Sequence, residues 1–117
     1  MACAVAIAAL EVVKDEALEK NAEKLGQLFR SEINKRLVEK CNLVSLVRGK
    51  GLLNAIVIND DEDSSTAWDI CMKLRDNGLL AKPTHGNIIR FAPPLVMNED
   101  QLLDCVSIIE KTIKDFE

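Results

Sequence analysis

At 117 residues, with 48% hydrophobic and 29% charged residues, the chain has the size and balance of one globular domain. Its net charge is −4, with acidic and basic residues interspersed and no Lys/Arg cluster of the kind that binds nucleic acid; no apolar stretch approaches the roughly 20 residues of a membrane span. Aromatics make up only 3%, so the core must be built from Leu, Ile, Val and Ala.

The first element, Ala2 to Val13, is apolar on nearly every side, as in a helix that is buried all round or expects a partner surface. No basic residue precedes it and an acidic helical pattern follows, which argues against a signal peptide. It has no cap or entry turn, so the expectation is a segment cut from a longer protein, with an unsatisfied first helix that drives self-association. Asp15 is placed to cap a second helix, in which Leu18, Ala22, Leu25, Phe29, Ile33 and Leu37 follow helical spacing. Its opposite face, with Glu19, Lys20, Glu23, Lys24, Arg30 and Lys35, reads as solvated.

Leu43 to Arg48 and Leu52 to Ile58 read as two strands joined tightly at Gly49-Lys50-Gly51. Asn59 to Ser65 is a polar loop, and Ser64 or Ser65 is expected to cap a helix whose buried face carries Ala67, Ile70, Cys71 and Leu74. Gly78 stands where a helix-terminating glycine belongs. Leu80 to Pro83 is a short edge strand, because proline cannot donate to a ladder. A turn at Thr84-His85-Gly86-Asn87 leads into the strand Ile88 to Ala92, which Pro93-Pro94 stops. Asn98 with Gln101 makes a capping box for a last helix buried along Leu102, Cys105 or Val106, Ile109, Ile113 and Phe116. The order ααββαββα implies an α+β domain, with a small, mainly antiparallel sheet of three to four strands covered by helices.

Chemistry is sparse. The four cysteines, Cys3, Cys41, Cys71 and Cys105, lack C-x-x-C spacing, and His85 is the only histidine, so no metal site is expected. Cys71 and Cys105 read as small buried hydrophobes of a reducing compartment. Arg48-Gly49-Lys50-Gly51 lacks the pattern of a phosphate-binding loop and reads as a turn; His85 reads as a turn residue. Arg90 is more informative. It lies in an apolar strand, where a buried guanidinium needs an anion. Two-point recognition of a ligand carboxylate and a structural pair with an Asp or Glu are both open.

Four segments carry a resemblance. Val47-Arg48-Gly49-Lys50-Gly51-Leu52-Leu53-Asn54-Ala55 resembles a small-domain strand pair of class III aminotransferases, and Ile88-Ile89-Arg90-Phe91-Ala92-Pro93-Pro94-Leu95 resembles their arginine strand. The stretch from Leu74 to Gly86, above all Lys82-Pro83-Thr84-His85-Gly86, resembles the ornithine aminotransferase family more narrowly. Ala2 to Val12 looks like the helix leading from the large domain of those enzymes to the small one, so the likeness runs through the whole chain.

The resemblance implies the C-terminal small domain of a fold-type I enzyme dependent on pyridoxal 5′-phosphate, with residues 1–14 linking from a large domain and 15–117 forming the small domain. It implies a homodimer or higher homo-oligomer that moves the δ-amino group of ornithine to 2-oxoglutarate, giving glutamate 5-semialdehyde and glutamate. Arg90 matches the family arginine that binds the 2-oxoglutarate carboxylate and is held by a glutamate of the large domain in the other half-reaction. None of the ten lysines here matches the Schiff-base position, and the family's cofactor-binding residues precede this segment. No catalytic, cofactor-binding or metal residue is therefore expected in these 117 residues, which alone should be inactive. Another class III transaminase, acting on acetylornithine or 4-aminobutyrate, is the alternative within the family. A free-standing module that binds a small carboxylate, or a purely structural packing unit, is the alternative outside it. Relatives occur in the mitochondrial matrix and in the cytoplasm.

Overall fold

The computed structural model describes all 117 residues. Four helices, α1 (Ala2–Asp15), α2 (Leu18–Ile33), α3 (Thr66–Asp76) and α4 (Glu99–Lys114), accompany four strands, β1 (Val44–Lys50), β2 (Leu53–Ile58), β3 (Lys82–Thr84) and β4 (Ile88–Phe91). The order ααββαββα is as expected, with a π-helical turn, Asn34–Val38, added at the end of α2. The strands form one antiparallel sheet in the order β1-β2-β4-β3.

Strand alternation divides the sheet. Asn54, Ile56 and Ile58 of β2 and Ile89 and Phe91 of β4 point inward and are buried. The apolar stripes of α2, α3 and α4 cover that face in a single core. Along α2 all five expected core positions are buried, and the π turn carries the stripe on to Leu37. Phe29 meets Phe91 with ring centroids 5.8 Å apart. Gly26 lets α2 approach the β1–β2 turn closely, since a Cβ there would overlap the backbone carbonyl of Gly51.

Several ends differ from the sequence reading. Asp15 does not cap α2; it is the last residue of α1, and the chain reverses through Ala17 in the left-handed conformation, φ 49°. Ser65 stands at the start of α3, but its hydroxyl donates to Asp69 (2.8 Å) instead of accepting a backbone N–H. Gly49 and Lys50 belong to β1, and the two-residue turn is Gly51-Leu52, with Gly51 at φ 54°. Leu80 is exposed and precedes β3. Phe116 lies beyond α4 and is exposed, while Thr112 takes an inward place, accepting a hydrogen bond from Asn77 (2.8 Å). Gly78 and Asn98 act as read. Leu79 N–H bonds the Leu74 carbonyl (2.9 Å) and Gly78 N–H that of Arg75 (3.0 Å), closing α3. Asn98 and Gln101 exchange side-chain and backbone hydrogen bonds of 2.9 and 3.0 Å.

α1 stands apart. It contains no buried residue, it touches the body chiefly through α2, and Val5, Ile7 and Leu10 are more than half exposed.

Candidate functional site: the open face of the sheet

No helix covers the outer face of the sheet. Register brings Arg48 (β1), Ala55 (β2), Arg90 (β4) and Lys82 (β3) into one cross-strand row. Arg48, Arg90 and Lys82 are exposed, and none of them forms an ion pair or a side-chain hydrogen bond within the chain. The small Ala55 between the two arginines leaves an open depression of about 410 Å³, lined by both of them together with Leu53, Thr84, His85 and Ile88.

The expectation of a buried guanidinium at Arg90 is corrected here. The sequence shows apolar neighbours on both sides of the arginine, but Ile89 and Phe91 face the helices, whereas Ile88 shares the uncovered side with Arg90. Solvent therefore stabilises the charge, and no structural Asp or Glu partner is required. His85 is a turn residue, as expected. It adopts φ 54° in the β3–β4 hairpin, beside Gly86, whose backbone lies against the Glu62 carbonyl. The hairpin thereby presents His85 at the rim of the depression.

Two arginines were misread or missed. Arg30 is not merely solvated: its guanidinium donates to the carbonyl of Gly51 (3.2 Å) and to Oδ1 of Asn54 (2.8 Å). Asn54 in turn donates to Gly51 (3.1 Å), so α2 clamps the hairpin that presents Arg48. Arg48 lies in β1, within the strand expected from Leu43 to Arg48, and faces the depression, a placement the sequence reading did not make. The observed two-residue turn Gly51-Leu52, in place of the expected Gly49-Lys50-Gly51 connection, sets the register that puts it on the face of Ala55.

A second cavity, of about 270 Å³, lies between sheet and helices and is lined by apolar residues such as Phe29, Leu52, Phe91 and Leu102, with no charged group. Burial pushes the Cys71 thiol up to about 11 and also raises those of Cys41 and Cys105. Cys71 and Cys41 are buried as small hydrophobes, Cys105 is only half-buried, and Cys3 is exposed. No three His, Cys, Asp or Glu side chains assemble as a metal cage, and no helix is long and apolar enough to cross a membrane.

What the open face offers is positive charge. Two guanidiniums on a rigid sheet suit a carboxylate, which accepts paired N–H donors.

The aminotransferase class-III family model matches residues 1–113. The chain belongs to the class-III aminotransferases. Within that family it is similar to ornithine aminotransferases: it is 55% identical to the mitochondrial enzyme of Rattus norvegicus over 99% of this chain and 26% of the relative, and 58% identical to that of Drosophila melanogaster over 97% and 25%. Among solved structures, acetylornithine aminotransferase from Elizabethkingia anophelis superposes with TM-score 0.94 at 71% identity, over 98% of this chain and 30% of that one. Ornithine aminotransferase from Toxoplasma gondii superposes with TM-score 0.88 at 43% identity, over 97% and 26%. The chain thus spans about a quarter of the length of the curated relatives it matches.

Class-III aminotransferases depend on pyridoxal 5′-phosphate. The residues lining the depression do not fit that group by themselves: they include no lysine for a Schiff base and no carboxylate for the pyridine nitrogen.

Proposed function

We propose that this chain is the small domain of an ornithine δ-aminotransferase and supplies carboxylate recognition to an active site completed by the rest of the enzyme. The observation that carries this reading is Arg90: an exposed, unpaired guanidinium on the uncovered sheet face of a class-III aminotransferase chain. The amino group leaves the δ-carbon of ornithine, which becomes the aldehyde of glutamate 5-semialdehyde. 2-Oxoglutarate gives up its keto oxygen and becomes glutamate. Arg90 holds a carboxylate of 2-oxoglutarate. A cofactor-binding lysine comes from outside these residues, and the parent is a homodimer or higher homo-oligomer.

Residues 1–14 connect to the large domain in this reading, and residues 15–117 form the small domain. The exposed apolar side chains of α1 support that role, because they have no partner within the chain. Light scattering on the 117-residue polypeptide should show self-association through α1, and a clean monomer at high concentration would argue against it. The same polypeptide should acquire no stoichiometric absorbance from added pyridoxal phosphate and should not turn over. The names of the rat and fly relatives place those proteins in mitochondria, and that of the Emericella nidulans relative carries no compartment, so mitochondrial matrix or cytoplasm is the proposed location.

A second reading, acetylornithine as amino donor, rests on the 71% identity to the Elizabethkingia anophelis structure. The enzyme containing this chain decides between them through kcat/KM for ornithine against N-acetylornithine, with 2-oxoglutarate as acceptor. Ornithine preferred by about ten-fold or more, a difference of roughly 1.4 kcal/mol in transition-state binding, supports the first reading; the reverse order overturns it. In the same enzyme, Arg90→Gln should raise KM for 2-oxoglutarate by about ten-fold or more through loss of a charge-assisted contact.

A further inference from the structure

The β3–β4 turn places two successive residues in the left-handed region, His85 at φ 54° and Gly86 at φ 63°. There a Cβ crowds the following carbonyl oxygen, which is why glycine is the usual occupant. Glycine takes the second position, but a histidine stands at the first. Its imidazole makes no hydrogen bond and no ion pair within the chain, so nothing in the domain itself uses the side chain that this strained position carries. The turn is nevertheless firmly braced. Asn87 N–H bonds the His85 carbonyl (2.6 Å), Ile58 N–H bonds the Asn87 carbonyl (2.7 Å), and the Asn87 amide donates to the Asp60 carbonyl (3.3 Å). A Cβ at Gly86 would overlap the Glu62 carbonyl, so hairpin and loop are in close contact. The imidazole is thus held at the rim of the open depression.

The other polar side chains of the depression have little to offer a cation. Arg48 and Arg90 carry N–H donors only, Asn54 is buried and engaged with Arg30 and Gly51, and the Thr84 hydroxyl turns back to the Ile88 carbonyl (3.5 Å). His85 is the side chain there with a free acceptor, the lone pair of a neutral imidazole ring. Amino donor and acceptor occupy a transaminase site in turn. Ornithine reacts at its δ-amine and brings an unreacted α-ammonium, which two guanidiniums repel and which needs a hydrogen-bond acceptor. N-acetylation of that amine removes the charge and leaves a single amide N–H.

We infer that His85 is a specificity-determining residue that accepts a hydrogen bond from the free α-ammonium of the amino donor and so favours ornithine over N-acetylornithine. The inference rests on the ornithine reading for its substrate, while the choice of residue stands on the turn geometry and on the chemistry of the rim. His85→Gly suits the left-handed backbone and removes the imidazole. In the complete enzyme it should raise KM for ornithine by about ten-fold, leave KM for 2-oxoglutarate within about two-fold, and lower the ratio of kcat/KM for ornithine to that for N-acetylornithine by about ten-fold, with a thermal midpoint no lower than that of the parent. His85→Asn, which tolerates the same backbone and keeps a carbonyl acceptor, should recover part of the preference. An unchanged KM for ornithine, equal losses with the two donors, or a parallel rise for 2-oxoglutarate would each overturn the assignment. The parent enzyme separates the two levels: a parent that prefers N-acetylornithine overturns the ornithine reading and this inference with it, whereas a parent that prefers ornithine, with the preference intact in His85→Gly, removes only His85.

Discussion

At the centre of the sheet the two faces are made by the same ten residues of β2 and β4, yet they obey different rules. On the inner face Ile56, Ile58 and Ile89 are at most 1% exposed, and their identity is set by packing against three helices. On the outer face Ala55, Val57, Ile88 and Arg90 alternate with them and meet no helix of this chain. Neighbours in sequence thus answer to different constraints: one set to volume and shape, the other to what approaches from outside. That is why an arginine is tolerated between Ile89 and Phe91.

The comparison can be broken most strongly at Ile56. Ile56→Ala should cost the folded domain about 2–5 kcal/mol in urea unfolding, whereas Val57→Ala, one residue on, should cost less than about 1 kcal/mol. Equal costs would show that the outer face is packed in solution after all. Next in size is the polar clamp that ties the β1–β2 turn to α2. Arg30→Ala leaves Asn54, itself 2% exposed, without its strongest partner and should destabilise by about 1–3 kcal/mol. Asn98→Ala removes the capping box of α4 and should cost about 1 kcal/mol, read as a lowered midpoint with unchanged slope. Arg90→Ala, by contrast, should leave the stability of the domain within about 0.5 kcal/mol of the parent while impairing ligand binding in the enzyme.

The smallest effect lies away from the sheet. Glu110 accepts from Lys114 (2.6 Å) and Arg36 (3.2 Å), and these contacts hold its carboxyl below the usual range, the Lys114 hydrogen bond first. A carboxyl depressed in the folded state stabilises it above the unfolded value, about pH 4.3, and that contribution disappears as pH falls through the folded value. Unfolding free energy measured from pH 6 to pH 3 should therefore decline less steeply in Glu110→Gln; identical acid limbs would remove the ion cluster from the account.

Much of this was legible beforehand, because local rules decide it. The stripe from Leu18 to Leu37, the glycine that ends α3 and the Asn98–Gln101 box need only spacing and backbone hydrogen bonding. The ends that were misplaced depend on partners far along the chain. Asp15 was a reasonable cap by composition, but α1 continues through it because the reversal is made at Ala17. Phe116 continues the apolar spacing of α4, yet the helix ends before it and leaves the ring exposed. Arg30 looked solvated because helix periodicity places it away from Phe29; nothing local indicates that the β1–β2 turn lies over that flank.

By itself the sequence determined the α+β order, the apolar stripes, the caps and the presence of one arginine in an apolar strand. Periodicity and capping act within a few residues and are therefore written locally. Only the tertiary structure decided which side of the sheet the helices cover, that Arg90 is open to solvent, and that Arg48 stands across Ala55 from it. Those outcomes follow from strand register and from the handful of long-range contacts that lay α2, α3 and α4 on one face, and a residue's neighbours in sequence do not carry that information.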